Sequence, residues 1–145
     1  MKLFLLVVTI LLLLSRIKNT PRQLSKTIYF EKLRKSLENN KSIKEEQGEL
    51  NYEAIKGAAI LITILLNIFF IIYYLLVGNK FSYDMKMFIL SALQIITVFI
   101  TFKKTFNGKL LSENIEDYDF YRFYFLFNVI LDYIYYPLTI YMLLK

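Results

Sequence analysis

Four polar side chains lie near the middle of long apolar stretches, and their types make them the candidates for chemistry. They are two asparagines, one glutamine and one aspartate: Asn67, Gln94, Asn128 and Asp132. Polar groups at this depth normally face the interior of a bundle because contact with hydrocarbon is costly. We therefore predict that the four side chains converge on one intramembrane polar layer.

Asp132 is the most demanding residue of this layer. An ionised carboxylate at the centre of a bilayer costs at least about 2.5 to 3.5 kcal/mol, so Asp132 should be either neutral or paired with a cation. We expect no Lys or Arg of this chain at that depth, because Lys56 and Arg122 fall near the membrane face. A neutral Asp132 would bond to Asn128 or Tyr135, whereas an ionised one would need a bound ion or another protein.

The last predicted helix carries a polar stripe along its length. At about 100° per residue, six side chains fall within an arc of about 80°: Tyr121, Tyr124, Asn128, Asp132, Tyr135 and Thr139. The two preceding spans have similar polar faces. Interhelical hydrogen bonds, worth roughly 0.6 kcal/mol each on average in membranes, are the simplest role for these groups.

The residue types argue against an enzyme. The chain has no Cys and no His, which excludes thiol chemistry, disulfides and a histidine base. Intramembrane aspartyl proteolysis needs two carboxylates, and only one acid lies deep. Four acids (Glu113, Glu116, Asp117 and Asp119) could hold Mg²⁺, but they fit better as complements to the dipole of the last helix. We predict no catalytic residue, no metal and no cofactor.

Composition predicts the elements that must position these residues. The chain is 57% hydrophobic, against roughly 45 to 50% in soluble domains. Its uncharged runs approach the roughly 20 residues that cross a bilayer as a helix. We predict an all-α, polytopic transmembrane bundle of about four helices, with a three-helix core over 54–145. Residues 1–17 would form a short N-terminal membrane anchor, since the apolar run 3–14 is short for a full span.

Residues 18–53 form a charged segment with a predicted amphipathic helix. Thr20 and Pro21 resemble a helix start, and Asn39–Asn40 an end. The apolar face comprises Tyr29, Phe30, Leu33 and Leu37, and the neighbouring basic residues are Lys32, Arg34 and Lys35. Such a helix is expected to bind anionic lipid headgroups at the membrane surface. Docking onto a partner subunit is the alternative.

Several residues mark the expected ends and bends of the spans. Asn51 should cap the second span and Gly78 should end it, while Asn107–Gly108 indicates a turn. The last helix is expected from about residue 120. Pro137 should free the carbonyl of Tyr133, which Thr139 could satisfy.

Basic residues predict the orientation in the membrane. The chain carries 18 Lys and Arg, of which all but four (Lys2, Lys80, Lys86 and Lys145) fall on one side. This asymmetry predicts that both charged loops are cytoplasmic, or face an organelle matrix, and that the C-terminus lies outside. A bacterial plasma membrane is the favoured location, with an organelle inner membrane as the alternative. Basic residues beside apolar spans indicate lipid contact rather than nucleic-acid binding.

Function is the least constrained part of the prediction. The leading hypothesis is a non-enzymatic accessory or structural subunit of a membrane complex, associated with other subunits or with itself. The second is a small oligomeric ion- or proton-coupled channel or transporter that uses Asp132. An immunity or signalling protein is a third possibility, for which no residue discriminates.

Overall fold

The helical architecture predicted from the sequence is confirmed. A computed structural model describes residues 1–106 and 114–145, which fold into five α-helices and one short 3₁₀ helix, with no strand in these two ranges. The elements are α1 (Lys2–Leu24), α2 (Lys26–Gln47), α3 (Glu49–Lys80), α4 (Met85–Phe106), the 3₁₀ helix (Ile115–Asp117) and α5 (Arg122–Leu144). Helices α1, α3, α4 and α5 are long and apolar enough to cross a membrane. The predicted Asn107–Gly108 turn and Glu113 lie outside the described residues.

The four long helices pack as two pairs. Helix α1 lies mainly along α5, and α3 mainly along α4. The partners in each pair are antiparallel: Leu5 and Leu143, from opposite ends of the chain, share one buried cluster, while Thr20 contacts Tyr133 further along. We call the end of the bundle with the α3–α4 connection (81–84) the turn end. The opposite end, where α2 lies, is the α2 end.

The apolar core is concentrated toward the turn end. Its most buried members include Leu5, Val77, Met87, Tyr135 and Leu143. Large aliphatic and aromatic side chains from α1, α3, α4 and α5 meet there, so close packing and its van der Waals contacts hold that end of the bundle together.

Gly78 does not end α3, contrary to the prediction. It lies inside the helix, which continues to Lys80, and a methyl group added at its Cα would lie 3.1 Å from the Cβ of Ser91 on α4. Small residues at such a crossing let two helix backbones approach closely. Gly78 is therefore a packing residue between α3 and α4.

The predicted helix start at Pro21 is wrong. Helix α1 continues through Pro21 to Leu24, and within it the Thr20 hydroxyl donates to the Arg16 carbonyl at 2.9 Å instead of capping a new helix. Ser25 begins α2, with its hydroxyl accepting from the Ile28 amide at 3.4 Å. The first apolar helix is consequently 23 residues long, enough for a complete span.

Other helix limits also differ from the sequence prediction. Helix α2 passes Asn39–Asn40 and ends at Gln47, where Gly48 caps it with a φ of 81° that glycine adopts at little cost. Helix α5 begins at Arg122 with no acid in its first turn, so the predicted dipole role of the acids is wrong. The Thr139 hydroxyl donates to the carbonyl of Tyr135 at 2.8 Å, one helical turn back, rather than to the carbonyl that Pro137 frees.

Candidate binding cleft

Asp132 forms an ion pair with Arg16 of the same chain. A guanidinium nitrogen of Arg16 on α1 contacts one carboxylate oxygen, and the Gln94 amide on α4 donates to the other at 2.6 Å. The Asp132 side chain is 2% exposed and that of Arg16 20%. Three helices are thereby joined at one buried charge cluster, which we call the Arg16–Asp132–Gln94 cluster.

This pairing overturns the expectation that no basic residue of the chain reaches the depth of Asp132. The apolar run of α1 was expected to end before Arg16, but the helix continues beyond it, and antiparallel packing on α5 places Arg16 beside the acid. Asp132 consequently needs no bound ion or second protein to balance its charge. Asn128 and Tyr135 were the predicted hydrogen-bonding partners of a neutral Asp132, and neither has this role. Tyr135 instead bonds with the Ser91 hydroxyl at 3.2 Å.

Spacing along α1 could have signalled the role of Arg16. Ser15, Arg16, Asn19 and Gln23 recur at intervals of one, three and four residues, which places them on one helical face. This polar face runs past residue 17, where the predicted anchor ended. The Arg16 guanidinium also donates to the Gln23 side-chain oxygen at 2.5 Å, so this polar face extends from the charge cluster toward the α2 end.

Asn67 and Asn128, the other two members of the predicted layer, do not join the Arg16–Asp132–Gln94 cluster. Asn67 is buried, and its amide donates to the carbonyl of Thr63 within α3 at 2.8 Å. The side-chain oxygen of Asn128 is buried and finds no donor among the described residues. The structure thus brings Gln94 and Asp132 into contact and leaves both asparagines with polar atoms beside the cavity.

A cleft of about 840 Å³ extends from this layer toward the α2 end. All five helices contribute to its wall, through polar side chains such as Ser15, Asn19, Ser36, Thr97 and Tyr124. Apolar side chains, among them Leu12 and Val98, line the remainder. The volume falls within the roughly 300 to 1,000 Å³ of typical small-molecule sites.

The apolar face of α2 covers part of this cleft. Leu33 is buried, and the ring centroid of Tyr29 lies 5.4 Å from that of Phe120 and 5.6 Å from that of Phe125. Burial raises the pKa of Tyr29 above its ordinary value. This face thus packs on the chain itself and borders the cleft.

The outer side of α2 is available for other contacts. Phe30 packs edge-on against Tyr29 and is half-buried, and Leu37 lines the cleft. Lys32, Arg34 and Lys35 are exposed. Contact of these basic residues with lipid headgroups or a partner remains a prediction.

Hydroxyl pairs close the bundle on the turn-end side of the cleft. Three pairs join its helices: Thr9 with Tyr73 at 2.6 Å, Tyr74 with Tyr136 at 2.8 Å, and Ser91 with Tyr135 at 3.2 Å. Tyr74 and Tyr136 also line the cleft. The polar stripe of α5 therefore divides by position: Tyr121 and Tyr124 border the cleft, whereas Tyr135 and Thr139 are buried beyond it.

The polar groups of the cleft can bind a ligand. The cleft offers guanidinium, amide and hydroxyl groups beside apolar surface. Among the described residues, no three acidic side chains gather in a way that could hold a metal ion. Comparison with protein-family models, curated proteins and solved structures finds no match for this chain.

Proposed function

We propose that this protein is a non-enzymatic integral membrane protein that binds a small molecule in the cleft. The observation that supports the proposal is the cavity of about 840 Å³, which extends from the Arg16–Asp132–Gln94 cluster to the α2 end. Pockets between the helices of a bundle, with a few polar groups among apolar ones, are typical ligand sites. Binding of this kind is the first step that the transporter hypothesis requires.

The accessory-subunit hypothesis loses one of its three supports. Besides small size and the lack of catalytic residues, it relied on a deep carboxylate without a partner, which a second protein would neutralise. Arg16 now supplies that partner within the chain. Assembly with other subunits stays a prediction, but the charge cluster no longer calls for it.

In our proposal the cleft opens to the cytoplasm, and the membrane is a bacterial plasma membrane. Nine of the 18 Lys and Arg residues lie in 18–56, on α2 and its flanks, and the positive-inside rule places such segments in the cytoplasm. The turn end would then face outward. Arg16 no longer counts in this argument because it pairs with Asp132 inside the bundle.

Single cysteines test the cleft and its sidedness, since the chain has none of its own. Thr97→Cys lies in the cleft wall. Its neighbour Ile96, which is 54% exposed on the outside of the bundle, gives a matched control at nearly the same depth. A membrane-impermeant thiol reagent should label Thr97→Cys in inside-out vesicles and leave Ile96→Cys unlabelled, because only the former meets water.

The same assay separates the possible failures. Equal labelling of both variants, or of neither, would refute a water-filled cleft. Labelling of Thr97→Cys only in right-side-out vesicles would reverse the proposed orientation. For transport, the turn end must also open: Ser91→Cys, buried beside Gly78, should then react slowly from the outside. Complete protection of that cysteine would contradict transport.

A further inference from the structure

We propose that the cleft binds an amphipathic organic monoanion, with its carboxylate or phosphate group held by Arg16. This inference rests on the proposed function and names the class of ligand. Three features of the cleft support it: the charge that a ligand meets, the N–H donors of Arg16 and the apolar part of the wall.

The ion pair presents its cation to the cleft and hides its anion. The Arg16 side chain is 20% exposed, while that of Asp132 is only 2% exposed. Contacts with Asp132 and Gln23 engage two guanidinium nitrogens of a group that has five N–H donors. Three N–H donors remain beyond these two contacts, in a planar group whose chemistry suits a carboxylate or phosphate.

The charged groups of the cleft wall present a cation, and not the buried Asp132, at the inner limit of the cleft. The wall contains Arg16, Arg22, Asp119 and Asp132, with no other Lys, Arg, Asp or Glu from the described residues. Asp132 is shielded by its own contacts, and Asp119 accepts a hydrogen bond from the Tyr121 hydroxyl at 2.9 Å. The two arginines and two acids of the wall balance in number, but burial of Asp132 leaves the Arg16 guanidinium as the charged group of the pair that a ligand meets.

The apolar part of the wall indicates that the anion carries an organic body. Leu12, Phe70 and Val98 lie beside the polar layer, and Leu33 and Phe125 lie nearer α2. An inorganic anion would leave this surface in contact with water, whereas an alkyl or aromatic body would cover it. A free amphipathic acid and the headgroup region of an anionic lipid share this chemistry.

Protection of a cleft cysteine from labelling tests the ligand class. The Thr97→Cys protein is placed in phosphatidylcholine nanodiscs and reacted with an uncharged thiol reagent, so that surface charge does not alter the reagent concentration. Octanoate should slow the reaction about tenfold at about ten times its Kd, where roughly one site in eleven is free. Octyltrimethylammonium, which has the same chain length and the opposite charge, should not slow it.

The lipid source has its own arm of the experiment. Phosphatidylglycerol replaces part of the phosphatidylcholine, and no octanoate is added. Slower labelling in these discs would identify an anionic lipid as an occupant. Protection by octanoate alone would identify a free acid. Either result supports the inference.

Charge-neutral variants show whether the arginines recognise the anion. The combined Arg16→Gln and Asp132→Asn changes remove both charges of the pair and should abolish protection, and Arg22→Gln should weaken it. Labelling without protection by any anion, or equal protection by the cation, would overturn the inference while leaving the cleft intact. Absence of labelling in the parent Thr97→Cys protein would instead refute the proposed function.

Discussion

The strongest prediction concerns the pairing of Arg16 with Asp132. Changing Asp132 to Asn keeps a group that can accept from Gln94 but leaves the guanidinium without its counter-charge. Removing one partner of a buried ion pair typically costs about 3 to 5 kcal/mol. Because the Arg16 side chain is 20% exposed to the cleft, we expect a loss near the lower limit, about 3 kcal/mol.

The reverse change should cost more, up to about 5 kcal/mol, because Arg16→Gln leaves a carboxylate that is 2% exposed. The double variant carries two amides and no buried charge. Its loss of stability should therefore be much smaller than the sum of the losses in the two single variants. A double-mutant cycle, measured by unfolding in mixed micelles of SDS, should give a coupling energy of at least about 2 kcal/mol.

An exposed ion pair of the same chain provides the control. Lys35 and Glu31 on α2 lie 3.2 Å apart with side chains 71% and 62% exposed, so their coupling should be only about 0.3 to 0.5 kcal/mol. If the coupling of Arg16 with Asp132 were as small as this, the two charges would not be buried together. The assignment of Arg16 and Asp132 as a buried ion pair would then fail.

Three further substitutions test packing, capping and the cleft wall. Gly78→Ala should lower the free energy of unfolding by about 1 to 3 kcal/mol because the new methyl group would press on Ser91. The control Gly57→Ala, where the added methyl group meets no atom within 4 Å, should not destabilise the protein. Equal losses of stability for the two variants in SDS unfolding would contradict the close helix crossing. Asp84→Ala should cost about 0.5 to 2 kcal/mol, since its carboxylate accepts two backbone amides at the start of α4, and unchanged hydrogen exchange in that first turn would contradict the cap. Asn128→Leu should raise the free energy of unfolding by about 1 kcal/mol or more, because it removes a buried oxygen that accepts no hydrogen bond from the described residues. A lower unfolding midpoint in SDS would show that the Asn128 side chain does have a hydrogen-bonding partner.

The sequence was sufficient to predict the long apolar helices α3, α4 and α5 and the contact between Gln94 and Asp132. Uncharged runs near 20 residues have few stable alternatives to a helix in lipid. The mid-depth positions of Gln94 and Asp132 then indicated that the two side chains should meet, and they do so at 2.6 Å. Both inferences depend on local pattern and on the cost of exposing polar groups to hydrocarbon.

The partner of Asp132 could not be predicted in the same way. Arg16 lies 116 positions earlier in the chain, and charge beside an apolar run ordinarily marks the membrane surface. The pairing depends on α1 continuing through Pro21 and on its antiparallel alignment with α5. Tertiary packing decides both, and local propensity carries no information about it.

The position of the charge cluster links the stability of the fold to the properties of the cleft. The hydroxyl pairs and apolar core hold the turn end closed, while Arg16 and Asp132 lie at the inner limit of the cavity. Asp132 accepts from Gln94 and contacts Arg16, and so fixes the guanidinium at that position. A residue expected to need an external partner thus holds an arginine toward the cleft, where an anion bound as proposed would meet the donors that Asp132 and Gln23 leave free.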